Sequence, residues 1–355
     1  MPEPKFHQKI AWFNFICCLM VIWTHSGNAD LFFPELGQDA PWWHFQYPVM
    51  QEILRVDIPC FIMLSAYLFY RNFTMKRLGE KLNKRLHSLL VPYLLWNTIY
   101  YVAYVAASRI PGLQTIANRT DLVITTSGAW QAITKYTFNP VFWFMYQIIL
   151  LVLLVFWFMY QIILLVLLAP VLYLFLKNIW TGAAFLLVLL VALFKGVALP
   201  ELNLDALIYY SVAAYVALHG RKWAEAVWSW KRAALGVCLL AVGIVLSRSY
   251  YTHYFVPGIV LYQLLAVIGI WMMVNERWLG EVRPFMTCTF FIYATHFVMV
   301  RFLNKAAALL FPGSQLVSMF MYVCMPLLAV TLCYQAARVL RRYRPDIWKT
   351  LNGGR

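Results

Sequence analysis

Long runs of uncharged, apolar residues dominate this chain, and they decide what it can fold into. One reads IAWFNFICCLMVIWT from Ile10, another LGVCLLAVGIVL from Leu235, and a third LVSMFMYVCMPLLAVTLCY from Leu316. A hydrocarbon core ~30 Å thick takes ~20 such residues per helix. Lipid offers the backbone no hydrogen-bond partner, so runs of this length must be helical. The alternating pattern of a membrane β-barrel is absent. With 63% hydrophobic and 12% charged residues, the chain could not cover the surface of a soluble domain. The fold class read from these runs is an all-α integral membrane protein, a single multi-pass domain over residues 1–355.

Apolar runs fall at 10–27, 48–70, 88–107, 140–176, 179–198, 206–219, 233–248, 254–274, 285–303 and 316–337. They predict ten transmembrane helices. The first run is read as a retained helix, because no small-residue cleavage site follows it. With the first residue in the cytoplasm, 21 Lys and Arg fall on the cytoplasmic side and 7 on the outer side, and the first outer loop, 28–47, carries none. That asymmetry places both termini in the cytoplasm. It also accounts for the net charge of +15 without nucleic acid as a partner. The seven cysteines all lie in apolar segments and are read as packing residues; no metal-ligand spacing and no bound cofactor are expected.

Residues 141–154 read VFWFMYQIILLVLL, and residues 155–168 repeat them identically. Such a tandem duplication lengthens the fourth run to about 36 residues, ~54 Å as one helix. Fourteen residues nearly restore the helical face, and no turn residue divides the run. One overlong fourth helix is expected, with one copy in register and the other protruding.

Ionisable and polar groups inside a membrane are costly, and each is a functional hypothesis. His25 stands near the outer end of the first span; Asn14 lies eleven residues earlier on nearly the same face. An interfacial His with a capping Asn also fits that pattern. Glu52, Arg55 and Asp57 enter the second span at the depth of His25. A carboxylate beside a His fixes its tautomer and raises its basicity, as a general base requires; a structural Arg55–Asp57 ion pair fits equally. Ser65 lies deeper in the same span, as a functional hydroxyl or a helix-packing one. The connection RNFTMKRLGEKLNKRLHSLL after it holds six basic residues, Lys84 and Arg85 among them. Two readings fit it: lipid contact and positive-inside signal, or a phosphate-binding cluster. His296 sits in mid-span with Tyr293 one turn before it, either hydrogen-bonded in the core or lining a cavity. No Walker loop, GxGxxG, HExxH or GxSxG is present.

Taken in order, these features resemble the acyltransferase family 3 membrane proteins. His25 ends the first helix at the spacing of that family's Arg-x10-His motif. IPCFIMLSAYLF at 58–69 is similar to its VPLFFMLSGYL segment, and RLHSLLVPYLLW at 85–96 to its basic entry into the third span. VFWFMYQIILLVLLAP at 155–170 is similar to its fourth span, with Trp143 at the matching place in the first copy of the repeat, and FFIYATHF to its late Tyr–His segment. Asn14, Ala66 and Ser88 stand where the family has Arg, Gly and Arg. The resemblance implies transfer of an acyl group, usually acetyl from acetyl-CoA, to a hydroxyl of a surface or exopolysaccharide sugar. The His would deprotonate the acceptor or assist passage of the acyl group, and cytoplasmic basic residues would hold the CoA phosphates.

Residue reading and resemblance together assign His25, Asp57 and Glu52 to catalysis, and Asn14, Arg55, Ser65, Lys84, Arg85, Trp143, Tyr293 and His296 to substrate binding. Acyl-CoA is the expected donor substrate, and a polysaccharide or lipid-linked sugar the acceptor. Membrane lipids and a polysaccharide assembly complex are further expected partners, in the cell's inner membrane. A transporter or flippase of lipid-linked sugar is the alternative, with a non-catalytic scaffold third.

Overall fold

The computed structural model describes residues 1–109, 125–127, 129–130, 157–200, 202–253 and 256–354. The described residues form helices and the connections between them, with no strand among them. Pro2, extended at φ −60° and ψ 145°, sets the entry to α1 (Glu3–Thr24), which at ~1.5 Å per residue reaches ~33 Å. There follow α2 (Trp43–Pro48), α3 (Asp57–Tyr70), α4 (Leu78–Arg85), α5 (Val91–Arg109), α6 (Trp157–Leu167), α7 (Ala169–Leu176) and α8 (Ile179–Phe194). The chain ends with α9 (Leu204–His219), α10 (Trp230–His253), α11 (Val256–Met273), α12 (Thr289–Leu310), α13 (Gln315–Tyr343) and α14 (Pro345–Leu351).

Five segments are long and apolar enough to cross a membrane: Glu3–Phe32, Trp230–Tyr250, Val256–Met273, Pro284–Leu310 and Gln315–Tyr343. A sixth is possible if α7 and α8, bent by 116° at Lys177–Asn178, form one broken span. Asn178 caps α8 with its side-chain oxygen, accepting from Trp180 N at 2.8 Å, and thereby ends the run. This is a multi-pass membrane protein.

Two expectations change in shape. The second run is helical from Trp43 to Tyr70 but irregular: a π-helical turn at 49–53 and a short 3₁₀ segment at 54–56 precede α3, whose first residue is Asp57. Pro48 and Pro59 flank this entry, and the Asp57 carboxylate accepts from its neighbour's Ile58 N–H at 2.6 Å, which favours a helix start there. Within the duplicated run, residues 141–156, with Trp143, lie outside the described residues. The described remainder is two helices meeting at Leu168, just before Pro170. Ile162, Leu165 and Val166 of the second copy are buried, so this copy is packed in the core.

The core gathers on α1, α3, α9, α11, α12 and α13. Phe13 meets Trp271 with ring centroids 4.9 Å apart, and Tyr70 meets Tyr210 at 6.0 Å. By contrast α10 touches chiefly α11, through glycines: a Cβ on Gly236 or Gly269 would lie 2.6 Å from the other's carbonyl oxygen. Only a bare backbone fits that crossing.

Candidate functional site

His25 caps the C-terminus of α1, its backbone N–H reaching Val21 O and Ile22 O. Its side chain faces α12. The imidazoles of His25 and His296 lie with centroids 5.5 Å apart, and Phe297 stands edge-on to His25 at 5.4 Å. His296 is fully buried. Its Nδ1 lies 2.6 Å from Tyr293 O. A carbonyl only accepts, so this nitrogen carries the proton in the neutral ring and Nε2 presents a lone pair. Both Nε2 atoms are buried without a hydrogen-bond partner among the described residues, as is Trp23 Nε1 nearby on α1. Buried polar atoms are ordinarily satisfied, and unpaired ones concentrate where a ligand or reaction completes them.

The neighbour of His25 is therefore a second imidazole rather than a carboxylate. Asp57 is buried and lies near Tyr293 and Cys17, but its carboxylate turns onto Ile58 N–H. No ion pair joins Arg55 to Asp57 within 4 Å; the Arg55 charge is felt by both Asp57 and Asp205, and its carbonyl accepts from Gln263 Nε2 at 3.1 Å. The side chain of Glu52 lies outside the described residues. Asn14 makes no hydrogen bond among them, ~16 Å along α1 from His25.

A neutral network, not foreseen from the sequence, fixes the chain beyond His25. Asn28 Nδ2 donates to Asn304 Oδ1 at 3.1 Å and to Ser318 O at 3.0 Å, while Ser318 Oγ donates to Asn28 Oδ1 at 2.9 Å. Gln46 Nε2 donates to the same Oδ1 at 3.1 Å, and Gln46 Oε1 accepts from Asn28 N and Ala29 N. Asn304 Nδ2 closes the ring onto Ser26 O at 3.3 Å. The available signal was Asn304 itself, a polar residue two turns beyond His296 on the i, i+4, i+8 ridge of an apolar helix.

A second set of unpaired groups surrounds Arg85. Its guanidinium reaches inward to Ser65 O at 3.4 Å and lies near Tyr210, and both Ser65 Oγ and Tyr210 Oη are buried without a partner among the described residues. Ser65 is eight residues along α3 from Asp57, ~12 Å. The rest of the basic connection divides by task. Lys81 caps α3, donating to Phe69 O and, at 2.9 Å, to Arg71 O; its partial burial pushes the ammonium down to about 8, with Arg77 and Arg85 adding to the effect. Lys84 is exposed beside Glu80 at 2.7 Å.

Arg71 is withdrawn into a clamp. It holds Glu3 with two bonds, 2.5 and 2.6 Å, and Glu225 with two more, 2.7 and 3.1 Å, while Tyr67 Oη donates to Glu225 at 2.9 Å. The hydrogen bonds from Arg71 to Glu3 and Glu225 raise its own pKa further. Partial burial is the largest single influence on Glu225 and works against ionisation, but the bonds from Arg71, Tyr67 and Arg221 and the charge of Arg71 together outweigh it and hold the carboxyl below its ordinary value.

Among polar groups, then, the fold brings together His25, His296 and Tyr293 with Asp57 close by, and separately Ser65, Arg85 and Tyr210. No curated protein and no solved structure matches the chain. The family model described as an acyltransferase domain matches residues 9–338, which take in both clusters and the helices that carry them, and the chain belongs to that acyltransferase family.

Proposed function

We propose that this protein moves an acyl group, acetyl in the first instance, from acyl-CoA to a hydroxyl of a surface or exopolysaccharide sugar in the inner membrane. In this reading ten spans cross the bilayer with both termini cytoplasmic. The carrying observation is the pair of buried, unpartnered imidazole nitrogens, 5.5 Å apart by ring centroid, at the end of the bundle away from Arg85. His25 takes the proton of the acceptor hydroxyl as its oxygen attacks the thioester carbonyl. The carbon–oxygen bond forms, the carbon–sulfur bond breaks, and that proton passes to the departing thiolate, giving ester and free CoA. The lone pair of His296 receives a hydrogen bond from the acceptor. Arg85, with Ser65 and Tyr210, holds polar parts of the donor. The polar positions along α3 from Ser65 to Asp57 give the acyl group a path between the two ends.

The 116° bend between α7 and α8 favours one second reading, a flippase of lipid-linked sugar, because discontinuous helices line many translocation paths. Membranes bearing the protein or His25→Ala, given labelled acetyl-CoA, separate the two. Base-labile label in the polysaccharide that disappears in His25→Ala supports the enzyme; loss of polymer export with unaltered polymer chemistry supports the flippase. If neither chain labels, the assay is repeated after deletion of one copy of the 14-residue repeat, and continued silence counts against acyl transfer.

A further inference from the structure

The segment between α1 and α3 does more than connect them. Residues 28–47 hold six aromatic side chains, three carboxylates and no Lys or Arg. Four of the aromatics fall in Trp42–Tyr47, on and beside the short helix α2. Its inner face is fixed by Gln46, 2% exposed and bonded to Asn28 and Ala29, three and four residues beyond His25. Trp42 adds a second anchor: its indole N–H donates to Gln315 O at 3.0 Å, and its backbone is held at φ 69°. A non-glycine residue keeps that conformation only where its surroundings impose it.

The outer face of α2 is open. Trp43 and Tyr47, one turn apart, lie with ring planes 15° apart and centroids at 5.7 Å. Tyr47 is exposed, as are Glu35 and Asp39 in the neighbouring loop, and the turn Gly37–Asp39 packs against α2. We propose that the Trp43–Tyr47 ledge is the docking surface for sugar rings of the acceptor polysaccharide, held in register with His25 through Gln46. This rests on the acyltransferase reading above.

The chemistry of the surface selects the occupant. Parallel aromatic faces offer a negative π surface to the polarised C–H face of a pyranose, and rigid Trp and Tyr do so with little loss of side-chain freedom. Carboxylates beside them accept hydrogen bonds from sugar hydroxyls. A polyanion or an anionic lipid headgroup would meet Glu35 and Asp39 with no cation in the segment to offset them. The firm tie to the His25 turn matters because a polymer must present one hydroxyl at a fixed distance from the base.

The test uses the full chain in detergent micelles, with cellohexaose, chitohexaose and maltohexaose as probes. The expected result is saturable quenching of tryptophan fluorescence by at least one hexasaccharide, unchanged in His25→Ala and weakened more than tenfold in Trp43→Ala. Trp43→Phe, which keeps a ring and the fold, should fall between. In the labelled-transfer assay, Trp43→Ala should raise the acceptor KM about tenfold and leave the acetyl-CoA KM as it was. Absence of quenching by all three sugars would overturn the proposal. So would a Trp43→Ala chain that loses thermal stability with acceptor KM unmoved, the sign of a ring that only anchors the helix at the lipid interface. Sugar binding that depends on Trp43 in a chain without His25-dependent transfer would instead remove the enzyme reading and keep the ledge.

Discussion

The two ends of the bundle are held in opposite ways. Around Arg71, one guanidinium that is 7% exposed satisfies two carboxylates and ties α1, α3 and the segment at Glu225 together. Around His25, the fastening is neutral: Asn28, Gln46, Asn304 and Ser318 saturate one another, and immediately beside them two imidazole nitrogens have no partner among the described residues. The difference teaches where to look for chemistry. The Arg71 charge is buried and fully paired, and so the least available. The groups left open beside His25 are neutral ones, whose unsatisfied state costs less and which a substrate can complete.

That comparison breaks most sharply at the imidazoles. His296→Gln, which keeps most of the buried volume, is expected to lower kcat by about 10²-fold through loss of acceptor positioning, with the melting temperature little changed. A large loss of stability with residual activity would move His296 to the structural side.

At the Arg71 end the expectation inverts. Arg71→Ala leaves Glu225 without its main partner and should destabilise the fold by about 3 kcal/mol, read by thermal melting in detergent, with the imidazole geometry untouched. The pH dependence sharpens this. Glu225 is held below its ordinary 4.5, so its contribution is present above that value and fades as pH falls through the carboxylate range. Glu225→Gln should flatten the acid limb of the stability profile; an unchanged limb would remove the clamp as its cause.

Smaller still is the neutral network. Asn28→Ala leaves buried partners on Asn304, Ser318 and Gln46 and should cost about 1–3 kcal/mol. Because it also frees the turn after His25, kcat should fall more than the donor's KM rises. Smallest is the exposed Lys84–Glu80 pair: Lys84→Ala should change stability by less than about 0.5 kcal/mol. A marked rise in the KM for acetyl-CoA in that variant would return Lys84 to the donor site.

The second span and the basic connection mark how far sequence reading reaches. Apolar length located α3, but the irregular turns that put Asp57 at its first residue lie between two prolines, a local feature that a hydropathy window averages away. Six basic residues in one connection read as a single cluster. Packing gave Arg71 to the clamp, Lys81 to the end of α3 and Arg85 to the interior, because each faces a different neighbour. Glu225 and Glu3, the residues that claim Arg71, lie 154 and 68 positions from it.

By itself the sequence determined that the chain is helical and membrane-spanning, since lipid forces backbone groups to bond within each apolar run. Its ordered motifs also determined the family, and with it His25 as the residue to watch. Only the tertiary structure decided that His25 meets His296 instead of Asp57, and that Asn304 and Gln46 fasten the turn beside it. Those pairings join residues up to 278 positions apart, and they follow from which helix faces pack together, a property that local composition and spacing do not contain.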